Sequence, residues 1–238
     1  IEKIACALVK DKSGAGEELA DMDKLEDRFL LHPALAVEQS RLTVNSMALK
    51  SQENLADAFA LVGAYSDEGY DNVERIEGMI VDRYEDKLGT YLLKITGKEL
   101  TKEQSEAVSK YLHTINDFER MSDHALNIAE CAKELRDKEI QFSPNGEHEL
   151  SVLISAVREV VDISVKAFTE NDVSLAYRVE PLEELVDNLC DEMKSHHIDR
   201  LKNGQCTLLH GFVFNDLLTN LERISDHCSN IAVAMIEL

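Results

Sequence analysis

The stretch Phe118–Ala129, FERMSDHALNIA, returns 103 residues later as Leu221–Ala232, LERISDHCSNIA. Eight of its twelve positions are identical, a match that marks a duplicated unit and limits the fold to two similar halves. At ~100° per residue, Phe118, Ser122, Ala125 and Ala129 share one helical face, and Leu221, Ser225, Cys228 and Ala232 share its counterpart. Most of these residues are small, so a neighbouring helix can approach closely. Beside that face runs a polar stripe: Asn116, Glu119, Asp123 and Asn127 in the first copy, Thr219, Glu222, Asp226 and Asn230 in the second. Each stripe holds a Glu and an Asp one turn apart. Like charges at that spacing cost a helix roughly 0.2–0.5 kcal/mol, and a bound cation would offset the cost.

The rest of the sequence points to long helices. Only 10 Gly and 3 Pro occur in 238 residues, too few turn formers for many short strands. A net charge of −21 excludes nucleic acid as a partner and argues against unaided docking to anionic lipid. No apolar run approaches the ~20 residues of a membrane span. The five cysteines, Cys6, Cys131, Cys190, Cys206 and Cys228, have no CxxC spacing and read as small thiols in a reducing compartment.

Residues 1–26 read as a lead-in whose first segment is a short strand or a helix end. Pro33 opens a helix that runs to about Tyr65, and SDEGYD breaks it. A second helix spans about Asp71 to Ile95 and stops at Gly97. Thr101 and Gln104 form a capping box for a third, which carries the first key stretch to about Lys138. Ile140–Glu147 reads as the joint between domains 27–140 and 141–238. A fourth helix then covers about 147–169, a fifth about 172–201, and a sixth runs from about Gln205 to the end. Pro181 falls inside the fifth and should either kink it or mark its true start. VERIEGMIVD at 73–82 aligns without a gap on VEPLEELVDN at 179–188. The expectation is an all-α fold of two tandem antiparallel three-helix bundles.

Glu183 and Asp187 form a further one-turn acidic pair beside an apolar stripe. With the fifth and sixth helices antiparallel, Glu183, Asp187, Glu222 and Asp226 could converge on a hard, all-oxygen site suited to Mg²⁺, Ca²⁺, Mn²⁺ or iron. The first repeat offers Glu119, Asp123 and Glu77, but Val81 stands in the register of Asp187 and Asp82 comes one residue late. The first site is therefore expected to be the weaker, unless a local bulge swings Asp82 inward. His124 and His227 follow each Asp ~100° further round the helix and read as exposed or capping residues. His196 and His197 read as complements to a helix dipole. Arg120 and Arg223 are expected to pair with nearby acids.

ERMSDHALNI and ERISDHCSNI resemble the E(D)xxxD signature of PhoU-type proteins, regulators of phosphate transport, over roughly residues 40–238. That resemblance implies multinuclear metal clusters held by these carboxylates, with iron the expected metal and Mg, Ca, Mn or Zn the other candidates. Asp27–Gln39, DRFLLHPALAVEQ, resembles the start of the PhoU-like domain that follows the membrane half of bacterial Na⁺/phosphate cotransporter-family proteins. The resemblance implies a regulatory cytoplasmic domain whose parent sits in the inner (plasma) membrane. Its partner would be the transporter half of the same chain, absent from this sequence, or another phosphate-transport component, with a homodimer also open. Two other classes compete: a metal-free helical adapter, and a carboxylate-bridged metal oxidase. The oxidase wants Glu-x-x-His pairs, which this chain replaces with Glu-x-x-x-Asp. With no nucleophile–base pair and no Gly-rich phosphate loop, the chain is not expected to be an enzyme.

Overall fold

Proline at a first helical turn gives up no hydrogen bond, and Pro33 opens α1 (Pro33–Gly63) in the computed structural model, which describes residues 22–238. Most of the expected lead-in lies outside the described residues. Its end forms a 3-10 turn, Met22–Lys24, and a second such turn follows at Asp27–Leu31. Lys94 Nζ reaches Asp27 at 2.9 Å and the Tyr91 hydroxyl donates to the Glu26 carbonyl at 3.1 Å, fixing this segment on the first bundle.

The break expected at 66–70 is instead a helix start. The Ser66 hydroxyl accepts the Gly69 N–H, and Asp67 and Glu68 lie in the first turn of α2 (Asp67–Ile76), where carboxylates favour the positive helix end. A π-helical turn, Glu77–Val81, joins α2 to α3 (Asp82–Thr96). The expected capping box is present: Thr101 and Gln104 open α4 (Lys102–Asp137).

Pro144 and Gly146, expected in the joint, belong to the first turn of α5 (Pro144–Glu170), because Ser143 caps it and Pro144 suits the first helical position. Asn171, at φ 53°, ends α5 in the left-handed conformation. The expected helix from Asp172 is two helices. Asp172 caps the short α6 (Val173–Ala176), Tyr177 and Arg178 form a turn, and α7 (Val179–Lys202) begins two residues before Pro181. Pro181 therefore marks the helix start, where its missing N–H is harmless. The last helix, α8 (Leu208–Glu237), starts at the Thr207 cap, three residues later than expected.

The described residues form no strand, and the helices build two tandem three-helix bundles: α1, the α2–α3 unit and α4, then α5, α7 and α8. The small-residue seams lie at their centres. Phe118, Ser122, Ala125 and Ala129 are fully buried, as are Ser225 and Cys228. Close approach has a polar signature. Ser51 donates to the Phe118 carbonyl at 2.9 Å, Asn54 to Ser122 Oγ at 2.9 Å, and Ser164 to the Cys228 carbonyl at 3.3 Å. The bundles then pack on each other along α4 and α8 and along α1 and α5, where Gln52 donates to Asp162 at 2.7 Å. Cys131, Cys190 and Cys228 are buried, and burial pushes each thiol up to about 12.

Candidate metal centres

Two acidic triads occupy matching places in the two bundles. Oxygens of Glu77, Asp82 and Asp123 lie within 4.8 Å of one another, and so do those of Glu183, Asp187 and Asp226. The second triad follows from helical spacing: α7 carries Glu183 and Asp187 one turn apart, and α8 brings Asp226. The first has the late Asp82, and the π turn Glu77–Val81 accommodates it. A π turn takes one more residue than an α turn, so Asp82 arrives on the Glu77 face at i+5 as Asp187 arrives on the Glu183 face at i+4. The two triads thus present equal numbers of carboxylates, which removes the stated reason for ranking them.

Glu119 and Glu222 stand outside the triads. Glu222 pairs with Lys194 at 2.8 Å, and Glu119 lies 3.3 Å from Arg120 Nε. Sequence spacing on α8 could not reveal that Lys194, on α7, would take Glu222. Arg120 and Arg223 pair as expected, but with triad members: Asp123 at 2.6 Å and Asp226 at 3.1 Å.

All these acids are half-buried beside the seams. Burial, with Asp82, Asp123 and Glu74 nearby, pushes Glu77 up to about 7. Burial and Asp123 push Glu119 up to about 7 as well. Burial, then acidic neighbours, raises Asp82, Glu183 and Asp187. In the second triad, Asp187 Oδ1 is buried without any hydrogen-bond partner. A carboxylate oxygen in that state calls for a proton or a cation. Three converging carboxylates form a hard donor set, so the residues present fit an oxygen-seeking cation.

The histidines differ from expectation. His124 and His227 are neither exposed nor caps. They meet where α4 packs on α8, ring centroids 5.5 Å apart. His196 pairs with Glu149 at 2.9 Å, and His197 is buried, stacked on Phe214 at 5.1 Å. The closing of one repeat on the other decides the His124–His227 contact, and helix packing within the second repeat decides those of His196 and His197, not any local motif.

A duplicated helical bundle with one acidic triad per repeat defines a class of two-lobed, carboxylate-bearing α proteins. The PhoU domain model matches residues 44–132 and 150–235, one match per repeat, and the chain belongs to the PhoU domain family. It is 30% identical over 131 residues to a phosphate-specific transport system accessory protein, PhoU homolog 1, of Thermotoga maritima, covering 53% of this chain and 56% of that protein. A PhoU homolog of the same description from Streptococcus pneumoniae is 26% identical over 133 residues, 55% of this chain and 59% of that one. The chain thus matches little more than half the length of these curated relatives. The fold is similar to the crystal structure of PhoU from Pseudomonas aeruginosa, with TM-score 0.78 at 22% identity over 84% of this chain and 94% of that one. It is also similar to the phosphate transport system regulatory protein PhoU from Streptococcus pneumoniae, with TM-score 0.76 at 16% identity over 86% and 95%. The two curated relatives are named as accessory proteins and the Streptococcus pneumoniae structure as a regulatory protein, in line with a non-catalytic chain. Among the described residues no helix is long and apolar enough to cross a membrane.

Proposed function

We propose that this chain is a metal-binding regulator of phosphate transport that acts by contact with a transport component. The observation that carries the reading is the pair of matched triads, Glu77, Asp82 and Asp123 with Glu183, Asp187 and Asp226, in a PhoU-family chain. Empty, each triad sets like charges against one another in half-buried ground. A divalent cation or iron, bound by the triad, would relieve that and tie α3 to α4 and α7 to α8. Glu119 and Glu222 could reach a second ion once released from Arg120 and Lys194. Iron is the family expectation, with Mg, Ca, Mn or Zn the alternatives.

The relatives' names support phosphate transport as the process. The finer reading, a cytoplasmic domain of a Na⁺/phosphate cotransporter, draws on the Asp27–Gln39 resemblance, and a partner on a separate chain fits the relatives better. A homodimer is compatible with either.

Metal analysis of the purified protein beside an Asp82→Asn/Asp226→Asn variant tests the reading. Bound metal in the native chain and its loss in the variant are expected. Phosphate uptake in cells carrying the variant should lose its response to phosphate supply. A native chain free of metal after growth in metal-replete medium would favour the metal-free adapter.

A further inference from the structure

The second repeat has a polar corner apart from both triads. Where the first turn of α5 meets the last turn of α7 and the start of α8, Ser143, Gly146, His197, Arg200, Cys206 and His210 line a cavity of about 10 Å³. That is room for one water-sized atom. His197 stacks on Phe214, and the Arg200 guanidinium lies 5.4 Å from the centroid of the same ring. Both His197 and Arg200 are only 9% exposed. Arg200 Nη1 donates to Glu149 at 2.8 Å, and the other Glu149 oxygen meets His196 Nδ1 at 2.9 Å. Arg200 Nη2 has no partner. His197 Nε2 has none either, but it faces Gly211 on α8, whose Cβ position would lie 2.7 Å from it, and so turns away from the cavity. Burial first, then the Arg200 charge, holds His197 below its ordinary value, so the ring is neutral and adds no charge to the corner. The cavity also faces the N-terminal turn of α5, whose aligned peptide dipoles favour negative charge.

An unpaired guanidinium N–H this deeply buried is costly, and an acceptor in the cavity would satisfy it. We propose that the corner is a small-anion site. Arg200 Nη2 donates to one halide ion, or to one oxygen of an inorganic oxyanion such as phosphate. The remaining atoms of an oxyanion would then lie at the mouth beside Ser143, Cys206 and His210. This site is independent of the metal reading, since it uses none of the triad residues.

Gly146→Ala supplies the main test. Its added methyl would sit 3.4 Å from Ser143 Oγ and 3.9 Å from Arg200 Cζ, so it fills the corner without a severe clash. Arg200→Gln removes the charged donor. Calorimetric titration and thermal unfolding of chelator-treated full chain, at constant ionic strength with gluconate as the bulky counter-anion, read binding of chloride and, separately, phosphate. The native chain should bind at least one of them saturably. Affinity should fall at least fivefold in Gly146→Ala and in Arg200→Gln, with helical circular dichroism retained in Gly146→Ala. Saturation by chloride assigns a halide; saturation by phosphate alone assigns an oxyanion. No saturable response to either anion, or an unchanged response in Gly146→Ala, overturns the proposal and leaves a water in the corner.

Discussion

Asp117 Oδ1 lies 2.9 Å from His227 Nδ1, across the contact between α4 and α8. Asn220 stands 103 positions later than Asp117 and lies 2.9 Å from His124 Nδ1. Each repeat thus holds the histidine of the other through the same position, once by a carboxylate and once by an amide. Asn220 Nδ2 donates to the Asp216 carbonyl, which turns its Oδ1 toward His124. His124 Nδ1 therefore carries the proton, as His227 Nδ1 does toward a carboxylate. Asp117 also accepts from Asn230 Nδ2 at 3.2 Å.

Removing Asp117 should loosen the two repeats. Asp117→Ala leaves the His227 ring N–H and the Asn230 amide without their acceptor, at a cost of about 1–3 kcal/mol. Asp117→Asn copies the His124–Asn220 arrangement and should cost about 1 kcal/mol or less. Chemical denaturation of both variants checks this. Equal losses would mean that the carboxylate charge, which both variants remove, carries the contact rather than the presence of an acceptor.

The two seam serines should respond oppositely to alanine. Ser122 Oγ accepts from Asn54, whereas the matching Ser225 Oγ is buried with no partner. Ser122→Ala orphans the Asn54 amide and should cost about 1–3 kcal/mol. Ser225→Ala removes an unsatisfied hydroxyl and should be neutral or stabilising by up to about 1 kcal/mol. Thermal unfolding decides it; a larger loss for Ser225→Ala would contradict the stated hydrogen bonding.

What was legible in the sequence had a local cause. The seam faces, the capping box at Thr101 and the one-turn acidic pair Glu183–Asp187 follow from period and spacing alone. SDEG, which reads as a break, has the composition of a loop as well as of a capped helix start, and nothing local separates the two. The contacts of His124, His227, His197 and Glu222 arise between distant elements, so no spacing rule could announce them. Asp82 lies between these cases. The sequence flags a residue out of register, and only the backbone shows that a π turn restores it.

The metal-free protein should lose stability as pH rises from about 4 to about 7. Glu77 and Glu119 are pushed up to about 7 when folded, against an ordinary carboxyl value near ~4.3 in the unfolded chain. Between those values the folded state binds more protons. Their contribution is therefore unfavourable above about pH 7, shrinks as pH falls, and vanishes below about pH 4. With partial solvent screening, the swing should be on the order of 1–3 kcal/mol. Glu77→Gln/Glu119→Gln should flatten the profile between pH 5 and 8 relative to the native chain. Parallel profiles for the two proteins would show that these carboxyls are not strained.

Deletion of Gly78 should convert the π turn to an α turn and keep the first triad. Gly78 is exposed, and nothing lies within 4 Å of where its Cβ would be, so no packing is lost with it. Without it Glu77 and Asp82 stand at i,i+4, the spacing of Glu183 and Asp187, and Val73, Ile76, Ile80 and Tyr84 keep their buried face. The stability change should stay within about 1 kcal/mol, since π turns are locally poorer helix that function retains. Thr90, inside α3, is exposed as well. Its deletion would instead rotate Tyr91, Leu92 and Ile95 out of the core, a shift expected to cost roughly 3 kcal/mol or more. If the triads hold metal, the Gly78 deletion should bind as many ions as the native chain, whereas Asp82→Asn should lose those of the first repeat. Thermal unfolding and metal stoichiometry read both halves of this. A Gly78 deletion as damaging as the Thr90 deletion would mean that the π turn is required by packing rather than by the placement of Asp82.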